Sequence, residues 1–368
     1  MKKLIIVGVA IVFLVCITLI FLHMVGRPVK VHTNKAVEGL PSEVTDVLFY
    51  ASLAPNSHNA QMWKVSVDTK KEQVRIYLDK ERTLNEVDSK NREAYISIGA
   101  FTANLLKAFE AYGYETDCVI PDKEDCQELV VITYSKLDSA TINKGILETI
   151  SKRHTDKSQY LDKKISEQSL TELLNGSTDL FYYPKASFEF DYLKDSTVAA
   201  MKLQANNESK AAEFSRWLRL SDKETLKTKD GLSAEQLGIT GMKKTIYYLI
   251  TTHESAQGDS FAKQSVDTTS NQVNNCSGFL LLTGGTSRKE LIETGIRLEN
   301  VWLNAVNLGI SVHPMSQILE EQPYSDEINA KLGISAPIHM VLRLGYVSDY
   351  GMNNNIRRDL GDYITVDE

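Results

Sequence analysis

The 368 residues are enough for one large domain or two ordinary ones, so burying a core is no obstacle. A net charge of −7, with 42% hydrophobic and 24% charged residues, is an ordinary globular balance and lacks the basic stripe that a nucleic-acid partner needs. Cys16, Cys118, Cys126 and Cys276 are too few for a disulfide scaffold, and without C-x-x-C or H-E-x-x-H there is no metal signature.

The run Leu4 to Leu22 carries no charge. About 20 apolar residues cross a bilayer core, whereas a cleavable signal has a shorter apolar stretch and a small-residue cleavage site. No such site follows here, and Val15 before Cys16 does not fit a lipidation signal. Residues 1–25 are therefore expected to be an uncleaved, single-pass membrane anchor, with 26–44 as a linker. Lys2 and Lys3 precede the span, and Arg27, Lys30 and Lys35 follow it, so charge bias sets orientation weakly. The short basic flank is read as inside, which puts the globular part outside the cytoplasm.

Ser42 is the expected N-cap of a helix over 44–54. A polar loop (55–61) leads to strands Trp63 to Val67 and Val74 to Asp79, joined by a polar turn. Ile98, Phe101, Leu105, Phe109 and Tyr112 recur at three- and four-residue steps, predicting a helix over 93–112 that stops at Gly113. Leu129 to Tyr134 reads as a buried strand. A helix over 140–153 then runs into the basic loop Lys152 to Lys157. Residues 190–272 read as largely helical, with Gly231, Gly238 and Gly241 as breakers. Strand Phe279 to Thr283, a helix over 288–308 ending at Gly309, strand Val341 to Val347 and an Arg-Arg tail complete the chain. Gly99, Asn104 and Gly113 recur at the same spacing as Gly295, Asn300 and Gly309, a faint internal repeat.

Two loops carry candidate chemistry. Ala54-Pro55-Asn56-Ser57-His58-Asn59-Ala60-Gln61-Met62-Trp63 packs polar donors and acceptors between apolar elements, though a plain turn has the same composition. Lys152-Arg153-His154-Thr155-Asp156-Lys157 offers cations and a hydroxyl to a phosphate, though a solvated helix C-terminus looks alike. Ser57-His58 without G-x-S-x-G is not a hydrolase elbow, and Gly284-Gly285 lacks P-loop spacing. Cys118 and Cys126 are equally compatible with a bridge and with free thiols.

Together these loops resemble the nitroreductase family. Arg153 to Lys157 matches its R-[RH]-[ST]-x-[RK] segment, and Pro55 to Trp63 resembles P-S-x-x-N-x-Q-P-W, with Met62 in place of the proline. Leu344-Gly345-Tyr346 followed by Arg357-Arg358, and Asn307 to Ile310 followed by Ser311 to Gln317, are similar to two further family segments. The resemblance covers most of 45–362 and implies an α+β nitroreductase-like fold, a central mostly antiparallel sheet flanked by helices. In the family's usual order the basic segment comes first. Here it comes second, which resembles the fused branch: a monomer acting as an internal pseudo-dimer, with halves 45–137 and 138–368 and a helical lid at about 190–272.

The resemblance implies FMN. Arg153, Lys157 and Arg357 or Arg358 would hold its phosphate, with His154 beside them. Thr155, Ser57, Asn59 and Gln61 would reach ribityl or ring atoms, and His313, Pro314, Met315 and Ser316 the ring edge. No catalytic acid or base and no metal is assigned, because the cofactor carries the chemistry. The implied activity is reduction of nitro- or quinone-type small molecules with NAD(P)H as donor. The alternatives are a flavin-sequestering protein with a closed lid and a structural membrane protein without flavin.

Overall fold

The computed structural model describes residues 2–123, 125–138, 141–351 and 353–367. Helix α1 (Lys2–Val25) comes first. Its window Ile5–Leu22 has mean hydropathy 3.3 and nothing buried, so it is long and apolar enough to cross a membrane. The first half contains α2 (Ser42–Ser52), β1 (Trp63–Asp68), β2 (Gln73–Leu78), α3 (Arg92–Ala111), β3 (Tyr114–Val119) and β4 (Val130–Lys136). The second begins with α4 (Lys144–Lys152), α5 (Glu167–Leu174) and β5 (Leu180–Pro184). Five helices follow: α6 (Phe188–Ala205), α7 (Glu208–Trp217), α8 (Asp222–Thr228), α9 (Met242–Ile250) and α10 (Asp259–Asn274). Then come β6 (Gly278–Thr283), α11 (Arg288–Asn307), β7 (Ser311–Pro314), α12 (Tyr324–Leu332), β8 (Ile338–Gly345) and β9 (Ile364–Asp367).

The strands form two sheets, one per half, ordered β3-β4-β2-β1-β9 and β5-β6-β8-β7. Read from the opposite edge, the second runs β7-β8-β6-β5, the order of the first without β9. Each half also places its long helix, α3 or α11, between equivalent strands. Pairing is antiparallel throughout except β1 with β9. The expected α+β architecture of mostly antiparallel sheet flanked by helices is present, with one sheet in each half of the pseudo-dimer.

Both long helices stop at a glycine, and α11 also starts on a local signal. Ser287 and Glu290 form a reciprocal capping box at the head of α11, and Gly113 and Gly309 take left-handed φ of 77° and 68° just past the ends. The predicted cap Ser42 falls one place inside its helix; extended Pro41 takes the cap position without a side-chain bond.

The helices cross at the repeat. A Cβ on Gly99 would lie 1.9 Å from the Ile292 carbonyl oxygen, and one on Gly295 would lie 2.0 Å from that of Ile96. The contacts are reciprocal, and Ile96/Ile292 extends the repeat by one position. Only glycine lets two backbones approach this closely. Val65, Val67, Ile76, Phe101 and Phe109 pack on one side of the crossing, and Leu280, Leu342, Leu344, Leu298 and Trp302 on the other.

The second sheet is covered on both faces. Phe279, Leu281 and Val341 turn away from α11 and pack against Phe190, Leu193 and Val273 of α6 and α10. Continuous burial of β6 and β8 follows from this. It also places α6 and α10 in the core, with the helical excursion of about 206–258 between them.

The tail crosses back. β9 pairs parallel with β1, Val65 opposite Ile364, and the Leu360 amide donates to the Asn34 carbonyl at 2.9 Å. Residues 356–367 therefore pack with the first half.

Gly99→Ala is expected to lower unfolding stability by at least about 2 kcal/mol through overpacking against backbone. Gly361→Ala, with no heavy atom within 4 Å of its Cβ, is the control. Urea midpoints check this.

Candidate functional site

A cavity of about 420 Å³ opens where the halves meet, within the size range of small-molecule sites. Glu93, Ile96 and Ser97 of α3 face Leu298 and Trp302 of α11 across it. The two motif loops, β7, the tail and the helical excursion supply the remaining walls. Of the residues predicted from sequence, Ser57, Asn59, Arg153, His154, Thr155, Lys157, His313, Pro314, Ser316 and Arg357 line it; Gln61, Met315 and Arg358 do not.

The loop after α2 is strained. His58, Asn59 and Gln61 have φ of 52°, 51° and 53°, the left-handed region that non-glycine residues avoid. Its hydrogen bonds explain how it holds. The Gln61 amide donates to Asn56 Oδ1 at 2.8 Å, Gln61 Nε2 donates to the Lys229 carbonyl at 2.9 Å, and Gln61 Oε1 accepts from the Arg358 amide at 2.9 Å. Gln61 is thus a fully buried brace. Ser57 Oγ donates to Glu93 Oε2 at 2.5 Å. The His58 ring packs edge-on to Phe214 at 5.4 Å, and burial pushes its pKa down to about 4.

Three of the four predicted cations are bound by their own chain. Arg153 ends α4, pairs with Glu299 (Nε to Oε1, 3.1 Å), donates to the Leu53 carbonyl and lies over the Trp302 ring at 4.9 Å. Burial pushes Glu299 up to about 7 against the pull of Arg153. Arg357 donates to the carbonyls of Ser52, Leu53 and Ala54 and to Asn59 Oδ1. Helix ends leave such carbonyls without partners, so it acts as the cap of α2. Arg358 donates to the Gln61 and Trp63 carbonyls.

Lys157 differs. Among the described residues no carboxylate pairs with it, and burial alone pushes its amine down to about 8. A half-buried cation without a counter-ion loses part of its hydration, and an anion in the cavity would offset that loss. The buried atoms His58 Nδ1, His313 Nδ1 and Gln317 Oε1 also have no partner among the described residues, and all three residues line the same cavity. His313 is held neutral by burial, with Arg343 and Lys157 adding to the effect. His154 stacks edge-on to Tyr350 at 4.7 Å, and Thr155 is exposed. Met315 turns into the core beside Ile318 and Val341, because neighbours on an extended segment face opposite ways.

Two residues that no motif marks complete the wall. Glu93 and Glu320 come within hydrogen-bonding reach of each other, and Gln204 Nε2 donates to Glu320 at 2.5 Å. Burial opposes ionisation of Glu93, but the Arg92 charge and the bonds from Ser57 and Glu320 outweigh it and hold its pKa below the usual value. Burial, then the Glu93 charge, pushes Glu320 well above it. Of the two carboxyls, Glu320 is therefore the one that keeps its proton to higher pH.

No protein-family model matches the chain. It is 27% identical over 128 residues to a probable NAD(P)H nitroreductase, PigM, of Serratia sp., covering 33% of this chain and 36% of that protein. It is 26% identical over 116 residues to an uncharacterized protein of Mycobacterium tuberculosis, covering 30% and 34%. The chain thus spans about a third of these curated relatives. Among solved structures, the FMN-dependent nitroreductase NfnB of Mycobacterium smegmatis overlaps 57% of this chain and 89% of its own at 13% identity and TM-score 0.35. A putative nitroreductase of Anabaena variabilis overlaps 83% and 74% at 11% identity and TM-score 0.40. The sequence similarity to a nitroreductase supports the resemblance drawn from the two loops.

The carboxyl pair predicts a pH effect. Unfolded, Glu320 ionises near 4.5; folded, it keeps its proton to higher pH. Stability is therefore lost as pH rises from 4.5 toward the folded value. Glu320→Gln should remove that loss, stabilising the protein at about pH 8 and changing little at about pH 4. Thermal melts across pH check this.

Proposed function

We propose that this chain binds FMN in the cavity between its halves and works as a nitroreductase-like, NAD(P)H-dependent reductase of nitro- or quinone-type small molecules. One observation carries the reading: a lysine without a carboxylate partner and the buried atoms His58 Nδ1, Trp302 Nε1, His313 Nδ1 and Gln317 Oε1, unpartnered among the described residues, belong to the lining of one cavity. That donor set suits an anionic, heteroatom-rich ring compound. The nicotinamide donor rests on the similarity to the probable NAD(P)H nitroreductase of Serratia sp..

Lys157 would hold the phosphate, with His154 and Thr155 on the same loop. Ser57 and Asn59 would meet ribityl or ring atoms, and His313, Pro314 and Ser316 the ring edge. Arg153 and Arg357 would act behind them, holding the α2 end and the strained loop in position. Bound flavin would supply the hydride or electrons. Reducing a nitro or quinone group also consumes protons, and the Glu320 carboxyl, held toward its protonated form by burial and by Glu93, is one group lining the cavity that could supply one. One such site per chain needs no second copy, so the protein would act as a monomer, held to a membrane by α1 with its globular part outside the cytoplasm.

A second reading is a flavin-sequestering protein. The excursion brings Phe214, Leu232, Gln236, Ala256 and Phe261 over the cavity, a cover able to exclude a second substrate. Stopped-flow mixing with NADPH separates the two. Rapid bleaching of bound flavin is expected of a reductase; bleaching by dithionite alone would establish sequestration instead.

Lys157→Ala should weaken FMN binding about tenfold to a hundredfold, the worth of a charge-assisted contact. Lys163→Ala, on an exposed lysine, should not. Flavin fluorescence titration checks both, and equal affinity in all three proteins would remove Lys157 from the site.

A further inference from the structure

Helix α9 exposes an apolar face that the fold leaves uncovered. Met242, Ile246, Leu249 and Ile250 recur at the spacing of one helix side and are 53%, 51%, 76% and 71% exposed. Among the described residues, the other helix beyond α1 that exposes two large apolar side chains is α6, with Phe188 and Leu203 near opposite ends.

The opposite side of α9 is fastened. Lys244 is fully buried; its Nζ lies 2.6 Å from Glu235 Oε1 and 2.7 Å from Asp222 Oδ1, and donates to the Arg27 carbonyl at 2.8 Å. The Val29 amide donates to the same Glu235 oxygen at 3.0 Å. Thr245 Oγ1 donates to the Leu22 carbonyl, and the Gly241 amide to that of Gly26, each at 3.2 Å. A Cβ on Gly26 would lie 2.5 Å from the Gly241 oxygen, so chain exit and helix start are in close contact. The apolar face of α9 therefore begins where α1 ends. Exposed Arg27, Lys30 and Lys243 accompany it.

We propose that α9 docks on the bilayer that α1 enters, its four apolar side chains lying in the boundary between headgroups and acyl chains and its basic neighbours in the headgroup layer. This is how an amphipathic helix with flanking cations lies on a membrane. The proposal rests on α1 being a membrane anchor. A lipid surface is the occupant because α9 is fastened to the end of α1, whose exposed apolar length would enter the bilayer there. Glu235, which holds Lys244, also lines the cavity, so docking fastens the cavity's cover to the membrane surface.

The test uses the full chain carrying Leu249→Trp, reconstituted into vesicles of neutral and anionic phospholipid with brominated or ordinary acyl chains. Ile250→Trp is a second probe and Phe188→Trp, on α6, the control; the native tryptophans are common to all. In L249W and I250W the added emission should be blue-shifted and mostly lost in brominated vesicles, while that of F188W stays aqueous and unquenched. Vesicle-bound protein whose L249W and I250W emission is unquenched would overturn docking and leave the anchor standing. Emission shielded without bromine quenching would assign the face to a second copy of the chain and overturn it too. Protein that fails to float with vesicles would overturn the anchor reading, and the proposal with it.

Discussion

Two backbones meet where Gly99 of α3 crosses Gly295 of α11, with no side chain between them. The rest of the structure follows from that approach. It presses two similar halves together, each with its own sheet, and it brings Glu93 and Ile96 opposite Leu298 and Trp302 across one cavity. It also sets Glu299 within reach of Arg153. A methyl group at either glycine would collide with a carbonyl of the other helix, so the contact excludes even alanine without movement of a main chain.

The two halves share a strand order, but the site is not symmetric. The basic loop comes from the second half and the strained loop from the first. Arg153 and Arg357 converge on the Leu53 carbonyl, which ties the end of α2, the start of the second half and the returning tail into one buried knot. A buried ion pair of this kind adds little net stability by itself. The effect of the knot is positional: Arg357 donates to Asn59 Oδ1 and so holds one of the three left-handed residues, His58, Asn59 and Gln61. The guanidinium groups that motif reasoning directs to a phosphate are thus largely spent on the wall, and Lys157 is the cation left facing the cavity.

Much of this was legible in the sequence. The periodicity of α3 and α11, their glycine stops and the apolar runs of β6 and β8 are local signals. The two loops were legible through their resemblance to the nitroreductase pattern. The rest depends on contacts distant in the chain. β9 is a short tail segment whose partner, β1, lies at the other end of the protein. Gln61 and Asn59 look interchangeable in a motif, yet both sit on left-handed backbone either side of right-handed Ala60, and one turns into the scaffold while the other lines the cavity. Met315 and Ser316 separate in the same way. Glu93 and Glu320 lie far apart, and a retained proton leaves no sequence pattern. The exposed face of α9 was periodic enough to read, but within a polar helical stretch it had no visible partner until α1 was seen to end beside it.

The central claim is that the two halves together build one flavin site. The most direct measurement is the FMN released by heat from the purified full-length protein after saturation and gel filtration, counted per chain. One FMN per chain is the predicted result. None would contradict the claim, and two would mean that each half builds a site of its own.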